Sequence, residues 1–175
     1  MSEHRRILVV YYSRSGTTRR VAELLALELG ADIEAIRERG APAPRAGARG
    51  YIRSAIDAIC HRHVEVMPAS LDVSAYDVVI VGAPVWASSA CAPVRAWLER
   101  YGAQIRHLAL FCCEGARGSV PALNQMSLAA GRPPLATCVI TGRDLYRRMD
   151  GAKREAFEQK IRNRMAARRE MEWLI

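Results

Sequence analysis

Four short runs of almost unbroken apolar residues constrain this chain more than any other feature: Ile7 to Tyr12, Val78 to Gly82, Leu108 to Cys112 and Leu135 to Ile140. A strand with one wet face alternates polar and apolar residues. Runs without alternation need cover on both faces, which is the condition of strands inside a parallel sheet. Each run is followed by a loop and then a helical pattern. Thr18 to Leu29 sets Val21, Leu24, Leu25 and Leu29 on one side, and Pro93 to Tyr101 does the same with Val94, Trp97, Leu98 and Tyr101, Pro93 suiting a first helical turn. Residues 120–130 and 152–171 complete the helices, the last marked by Phe157, Ile161 and Met165 at spacing four. Asp32 to Arg37 alternates and reads as an edge strand. Glu38 to Gly50, rich in Gly, Pro, Ala and Arg, reads as a mobile loop before a helix starting near Tyr51. Five strands interleaved with helices predict a three-layer α/β domain with right-handed crossovers, spanning residues 1–175 without an internal boundary.

Several classes of protein are disfavoured. No apolar stretch is long enough to span a bilayer, and the apolar run after MSEHRR is too short for a secretory leader, so a cytoplasmic location is expected. The 5 cysteines, at 60, 91, 112, 113 and 138, show no C-x-x-C spacing and predict reduced thiols rather than disulfides or zinc. Cys60-His61-Arg62-His63 lacks a second half and reads as a solvated helix end; no metal is assigned. The net charge of +8 suits nucleic acid, an anionic substrate or an acidic protein partner. With aromatics at 6% and no basic stripe interleaved with them, nucleic acid is the disfavoured member of that set.

Between the first strand and the first helix stands Ser13-Arg14-Ser15-Gly16-Thr17-Thr18. A strand-to-helix turn offers backbone N–H groups and the positive end of a helix dipole, so it is an anion site by construction. The single glycine and absent lysine exclude the dinucleotide and nucleoside-triphosphate loops. Two readings remain: Ser15 or Thr17 caps the helix, or the four hydroxyls and Gly16 cradle one terminal phosphate. Arg19 and Arg20 in the first turn oppose the macrodipole, a conflict that a bound anion would relieve.

The stretch SRSGTT resembles the phosphate loop of the flavodoxin family, [ST]-x-[ST]-G-x-T. "YDVVIVGAPVWASSACAPVRAWL", residues 76–98, is similar to that family's third strand, first flavin loop and following helix, and "LALFCCEGARG", residues 108–118, to its fourth strand and second flavin loop. The resemblance implies a doubly wound sheet of order 2-1-3-4-5 with flavin mononucleotide (FMN) at the carboxyl ends of the strands. By that resemblance Ser13, Arg14 (through its backbone), Ser15, Gly16, Thr17 and Thr18 hold the phosphate. Pro84, Val85, Trp86, Ala87 and Ser88 form one wall of the flavin site, and Cys113, Glu114, Gly115, Ala116 and Arg117 the other. Trp86, placed in a loop, is either a stacking partner for the isoalloxazine or a core tryptophan, whereas Trp97 reads as core. Ser88 stands where many similar sequences carry glycine. Glu114 would lower the flavin potential unless Arg117 neutralises it. Cys112 and Cys113 are a redox pair or, pointing to opposite sides, packing residues.

The function implied is electron transfer through FMN, with a redox partner protein or a small acceptor such as a quinone. The alternatives are an NAD(P)H-dependent FMN quinone reductase and a flavodoxin-like interaction module without redox activity. No catalytic residue is assigned. The loops at the strand ends carry Arg14, Arg37, Arg39, Arg45, Arg49, Arg117, Arg143, Arg147 and Arg148, so basic charge is expected around the cofactor. The apolar stripe of the last helix, with Trp173-Leu174-Ile175, packs on its own sheet or against a second copy as a homodimer.

Overall fold

The computed structural model describes residues 5–40, 64–115 and 117–172. In chain order the elements are β1 (Ile7–Tyr11), α1 (Thr17–Leu29), β2 (Asp32–Ala35), β3 (Val78–Trp86), β4 (Ser89–Ala90), α2 (Ala92–Tyr101), β5 (Leu108–Glu114), α3 (Ser119–Ala130), β6 (Thr137–Thr141), α4 (Gly142–Tyr146) and α5 (Asp150–Glu172). The sheet runs β2-β1-β3-β5-β6, every pair parallel, with β4 antiparallel on the end of β3. Counting the five parallel strands alone, this is the 2-1-3-4-5 order implied by the resemblance.

Period-two alternation splits the apolar strands between two cores. Leu8, Val10, Val79, Val81, Leu110 and Cys112 pack with Val94, Trp97 and Leu98 of α2 and Ala122 and Met126 of α3. Val9, Ile80, Ala109, Phe111, Cys113 and Ile140 pack with Val21 and Leu25 of α1 and Phe157, Ile161 and Met165 of α5. Trp97 is buried as expected, and the α5 stripe lies on the chain's own sheet. Gly82 is required by close approach: a Cβ there would fall 2.0 Å from Phe111 Cζ.

Between α1 and α5, buried Arg154 grips Glu28 through Nε–Oε2 and Nη2–Oε1 contacts of 2.9 Å each and also holds Asp150. Burial, followed by the neighbouring Glu28 carboxyl, raises the Glu158 pKa.

The strands differ from expectation at their ends. β3 continues past Gly82 to Trp86 and β5 past Cys112 to Glu114, so Pro84, Val85, Trp86, Cys113 and Glu114 belong to strands rather than loops. Pro84 still pairs with Cys113, and Val85 and Trp86 then turn to pair with Ala90 and Ser89. A hairpin partner downstream extends β3 beyond the point where its apolar signal stops. β6 begins at Thr137, although Leu135 N–H already donates to Leu108 O at 2.7 Å. β2 ends at Ala35, and residues 64–67 close its extension antiparallel through Arg39 N–H to Glu65 O and Met67 N–H to Arg37 O, each 2.8 Å. The edge is therefore partly covered, as exposed edges in stable sheets usually are.

Helix α4 was not expected. Thr141 and Asp144 form a reciprocal capping box that starts it, a T-x-x-D signal legible in the sequence. The loop from Glu38 lies outside the described residues beyond Gly40, as do the helix near Tyr51, Cys60 to His63, Ala116 and Trp173 to Ile175. Among the described residues, no helix is long and apolar enough to cross a membrane.

Candidate functional site

Parallel strands deliver their carboxyl ends to one edge, and three turns meet there, after β1, β3 and β5. In the first turn the N-cap of α1 is Gly16, at φ 89°, and no side chain caps the helix. The capping alternative for Ser15 and Thr17 is thereby overturned. Ser13 Oγ instead accepts from Gly16 N–H at 3.1 Å, which leaves the Ser13 hydroxyl proton to donate elsewhere. The Ser15 and Thr17 hydroxyls face each other at 3.4 Å. The N–H groups of the first helical turn, aligned with the dipole, therefore lack a side-chain acceptor. Arg19 pairs with Glu23 at 2.7 Å, which offsets part of its conflict with the dipole, and Arg20 is exposed.

Thr18 differs from its neighbours. It is buried beneath the turn, with its hydroxyl in hydrogen-bond reach of the Cys113 thiol. What Thr18 presents at the turn is its backbone.

The second turn is the β3–β4 hairpin. Ala87 at φ 47° and Ser88 at φ 59° both sit in the left-handed region, the geometry that suits a right-twisted two-residue hairpin. Neither is glycine, so the turn stores on the order of 1 kcal/mol per residue. Gln125 of α3 steadies it, its Oε1 accepting from Ser89 Oγ at 2.7 Å and Ala90 N–H at 3.1 Å.

Trp86 is half-buried at the end of β3. Tyr12 meets it edge to face, with centroids 6.0 Å apart and planes at 82°. The Arg14 guanidinium carbon lies over the indole, 5.2 Å from its centroid. Tyr12 in turn donates its phenolic proton to Glu38 Oε1; burial and that carboxylate raise the Tyr12 pKa far above its usual value.

The third turn follows β5. Glu114 Oε2 accepts from Ser119 N–H at 2.9 Å, so this carboxylate is engaged by the α3 N-terminus. Gly115 and Arg117 are exposed, and Gly118, at φ 110°, is the N-cap of α3. Cys112 and Cys113 enter different cores, and burial pushes both thiols upward, Cys113 to about 12. Neighbours buried on opposite sides of one strand pack and do not form a redox pair.

Sequence reasoning missed Tyr12, Gln125 and Gly118 as members of this edge. Tyr12 lies one residue before the hydroxyl turn and Gly118 one before α3, but their contacts with Trp86 and Ser88 come from strand order, which no local pattern records.

The site stands at the switch point of the sheet, where chains leaving β1 and β3 turn to opposite faces. The solved structure of a flavoprotein from Lactobacillus acidophilus NCFM in complex with FMN is similar, with a TM-score of 0.68, 16% identity, and coverage of 82% of this chain and 97% of that one. The apo form of the flavoprotein from the same organism gives a TM-score of 0.61 at 19% identity over 78% and 91% of the two chains. A flavodoxin from the domain Archaea gives 0.52 at 14% identity over 91% and 99%. No curated protein sequence matches the chain. The sequence profile described as Flavodoxin matches residues 6–133. By that match and by its strand order, the chain belongs to the flavodoxin family.

Proposed function

We propose that the chain binds FMN at the carboxyl edge of its sheet and works as an electron-transfer flavoprotein. The observation that carries this reading is the uncapped start of α1, ringed by the hydroxyls of Ser13, Ser15 and Thr17. A terminal phosphate matches that donor set in charge and in number of acceptors.

The fit extends along the edge. Ser13, Ser15 and Thr17 would donate O–H groups to phosphate oxygens, Thr17 and Thr18 their N–H groups, and Arg14 a nearby positive charge, while Gly16, its own N–H held by Ser13, would let the backbone come close. Trp86, Ala87 and Ser88 would form one wall, with the indole as the planar apolar surface that excludes water. Gly115, Ala116 and Arg117 would form the other. Glu114, committed to the α3 N-terminus, adds little uncompensated negative charge beside the isoalloxazine. FMN, when bound, supplies the one- and two-electron redox chemistry; the chain supplies binding, orientation and electrostatics.

The test is a visible absorption spectrum of the purified chain after FMN is added and the excess removed. A retained yellow spectrum with quenched flavin emission is expected. A colourless protein would overturn the redox reading and favour a flavodoxin-like interaction module.

A further inference from the structure

The segment following β6, Thr141-Gly142-Arg143-Asp144-Leu145-Tyr146-Arg147-Arg148-Met149-Asp150, sorts its charges by sign. Both acids turn inward. Asp144 accepts from Thr141 N–H, Thr141 Oγ1 and Lys153 Nζ, the last at 2.6 Å, and Asp150 is held by Arg154. All three arginines turn outward: Arg143, Arg147 and Arg148 are exposed and form no ion pair among the described residues. Tyr146, 89% exposed, stands between Arg143 and Arg147, and Met149, 56% exposed, follows Arg148, while Leu145 packs on the core.

Folding alone does not explain this pattern. Like charges within six positions repel one another, and an 89% exposed tyrosine contributes little to the core. Tyr, Arg and Met are the residue types enriched where protein interfaces concentrate binding energy.

The position is also specific. Glu114 pairs with Thr141 at the last rung between β5 and β6, so the segment emerges beside the turn that carries exposed Arg117. A partner seated here would lie alongside the edge assigned to FMN.

We infer that α4 and the turn after it form a docking platform for the acidic surface of a redox partner protein, with Tyr146 at its centre and Arg143, Arg147 and Arg148 around it. Each guanidinium presents a planar fork that a carboxylate fills with two hydrogen bonds. A single-stranded nucleic acid would need a basic track several phosphates long, whereas these charges cluster around a five-residue helix. The inference adds a partner to the electron-transfer reading and rests on that reading only for the partner being a redox protein.

The experiment uses the whole chain and fluorescence anisotropy at low ionic strength. One probe is a labelled glutamate-rich peptide of about 20 residues; the other is an oligothymidylate of similar charge. The triple variant Arg143→Ser, Arg147→Ser, Arg148→Ser is expected to weaken peptide binding about tenfold or more, and Tyr146→Ala about threefold. A control with equal charge loss on exposed α5 positions, Lys160→Ser, Arg164→Ser, Arg168→Ser, is expected to change it less than about twofold. Equal losses in both triples, no binding by the wild type, or tighter oligothymidylate binding through the same arginines would overturn the platform. FMN titration separates the two claims: a wild-type chain that binds the peptide but refuses FMN sinks the redox reading and leaves the acidic docking surface standing.

Discussion

Gly118 and Ser88 meet so closely that a Cβ built on Gly118 would lie 2.4 Å from the Ser88 Cα. The turn after β3 and the turn before α3 thus lock against each other, and both belong to the walls assigned to the flavin. Gly118→Ala must displace one of them and also strain a backbone at φ 110°, for an expected loss of about 2 kcal/mol or more. Thermal denaturation and an FMN titration check it together, with both stability and affinity expected to fall. Gly115→Ala is the matched control for stability alone: its added Cβ would meet nothing within 4 Å in the protein, so the melting temperature should stay near wild type.

Ser15 and Thr17 are expected to separate from Thr18 by what each variant loses. Neither of the first two caps α1, so Ser15→Ala with Thr17→Ala should leave the melting temperature nearly unchanged while weakening FMN binding, by about 1–2 kcal/mol for two lost donors. Thr18→Ala removes a buried hydroxyl that faces Cys113 and should instead lower stability. Calorimetry with and without FMN distinguishes the two; a double variant that binds FMN like wild type would return the hydroxyls to a purely structural role.

The sheet was legible because each buried strand had to be apolar on both faces, and Val9 and Val10 show why: one enters each core. The hydroxyl turn was legible because it is local, lying within six consecutive residues. Trp86 was misplaced in a loop because its strand partner, Ser89, lies across a turn with no glycine to announce it. The partner of Glu114 was not legible for a related reason: the sequence offers Arg117 only as a possible neutralising charge, whereas α3 presents a bare N–H only once its start at Ser119 is known. The sign-sorted α4 segment reads in sequence as plain basic residues, because side-chain direction is set by the capping box and by Lys153 and Arg154, which follow it.

Asp144 gives the fold an acid-sensitive point. Burial opposes its ionisation, but hydrogen bonds from Lys153 and from the Thr141 backbone and hydroxyl prevail and bring its pKa down from 3.8 to about 2. A pKa lower in the folded than in the unfolded chain stabilises the fold above the unfolded value, and that stability is lost as pH falls through the folded value. Stability should therefore decline between about pH 4 and pH 2 through this group. Asp144→Asn keeps the shape and removes the charge: it should be less stable at neutral pH and show a shallower acid limb in denaturant titrations. Identical limbs would assign acid sensitivity elsewhere.

The described thiols should be inert. Burial raises Cys91 to about 12, Cys113 to about 12 and Cys138 to about 11, and raises Cys112 as well. Thiolate is the attacking species, and each raised pKa reduces its fraction at neutral pH while burial denies access. Alkylation of the native chain at about pH 8 followed by peptide mapping should leave these four unmodified until denaturant is added. Rapid labelling of Cys113 would mean that the turn after β5 opens.

Trp86 and Arg14 touch each other, yet they should contribute to FMN binding by different physics, and ionic strength separates them. Stacking on the indole is a short-range apolar contact, so Trp86→Ala should weaken FMN binding about tenfold and raise flavin emission. Because salt scarcely screens such a contact, that factor should be the same at about 0.05 M and 0.5 M salt. Arg14 acts in two ways: its guanidinium lies over the indole, and its charge lies beside the turn assigned to the phosphate. Arg14→Ala should therefore weaken binding several-fold at low salt, with the loss shrinking as the phosphate charge is screened. A salt-dependent Trp86 loss would show that the indole acts mainly by orienting Arg14, and a salt-independent Arg14 loss that the guanidinium acts mainly by supporting the indole.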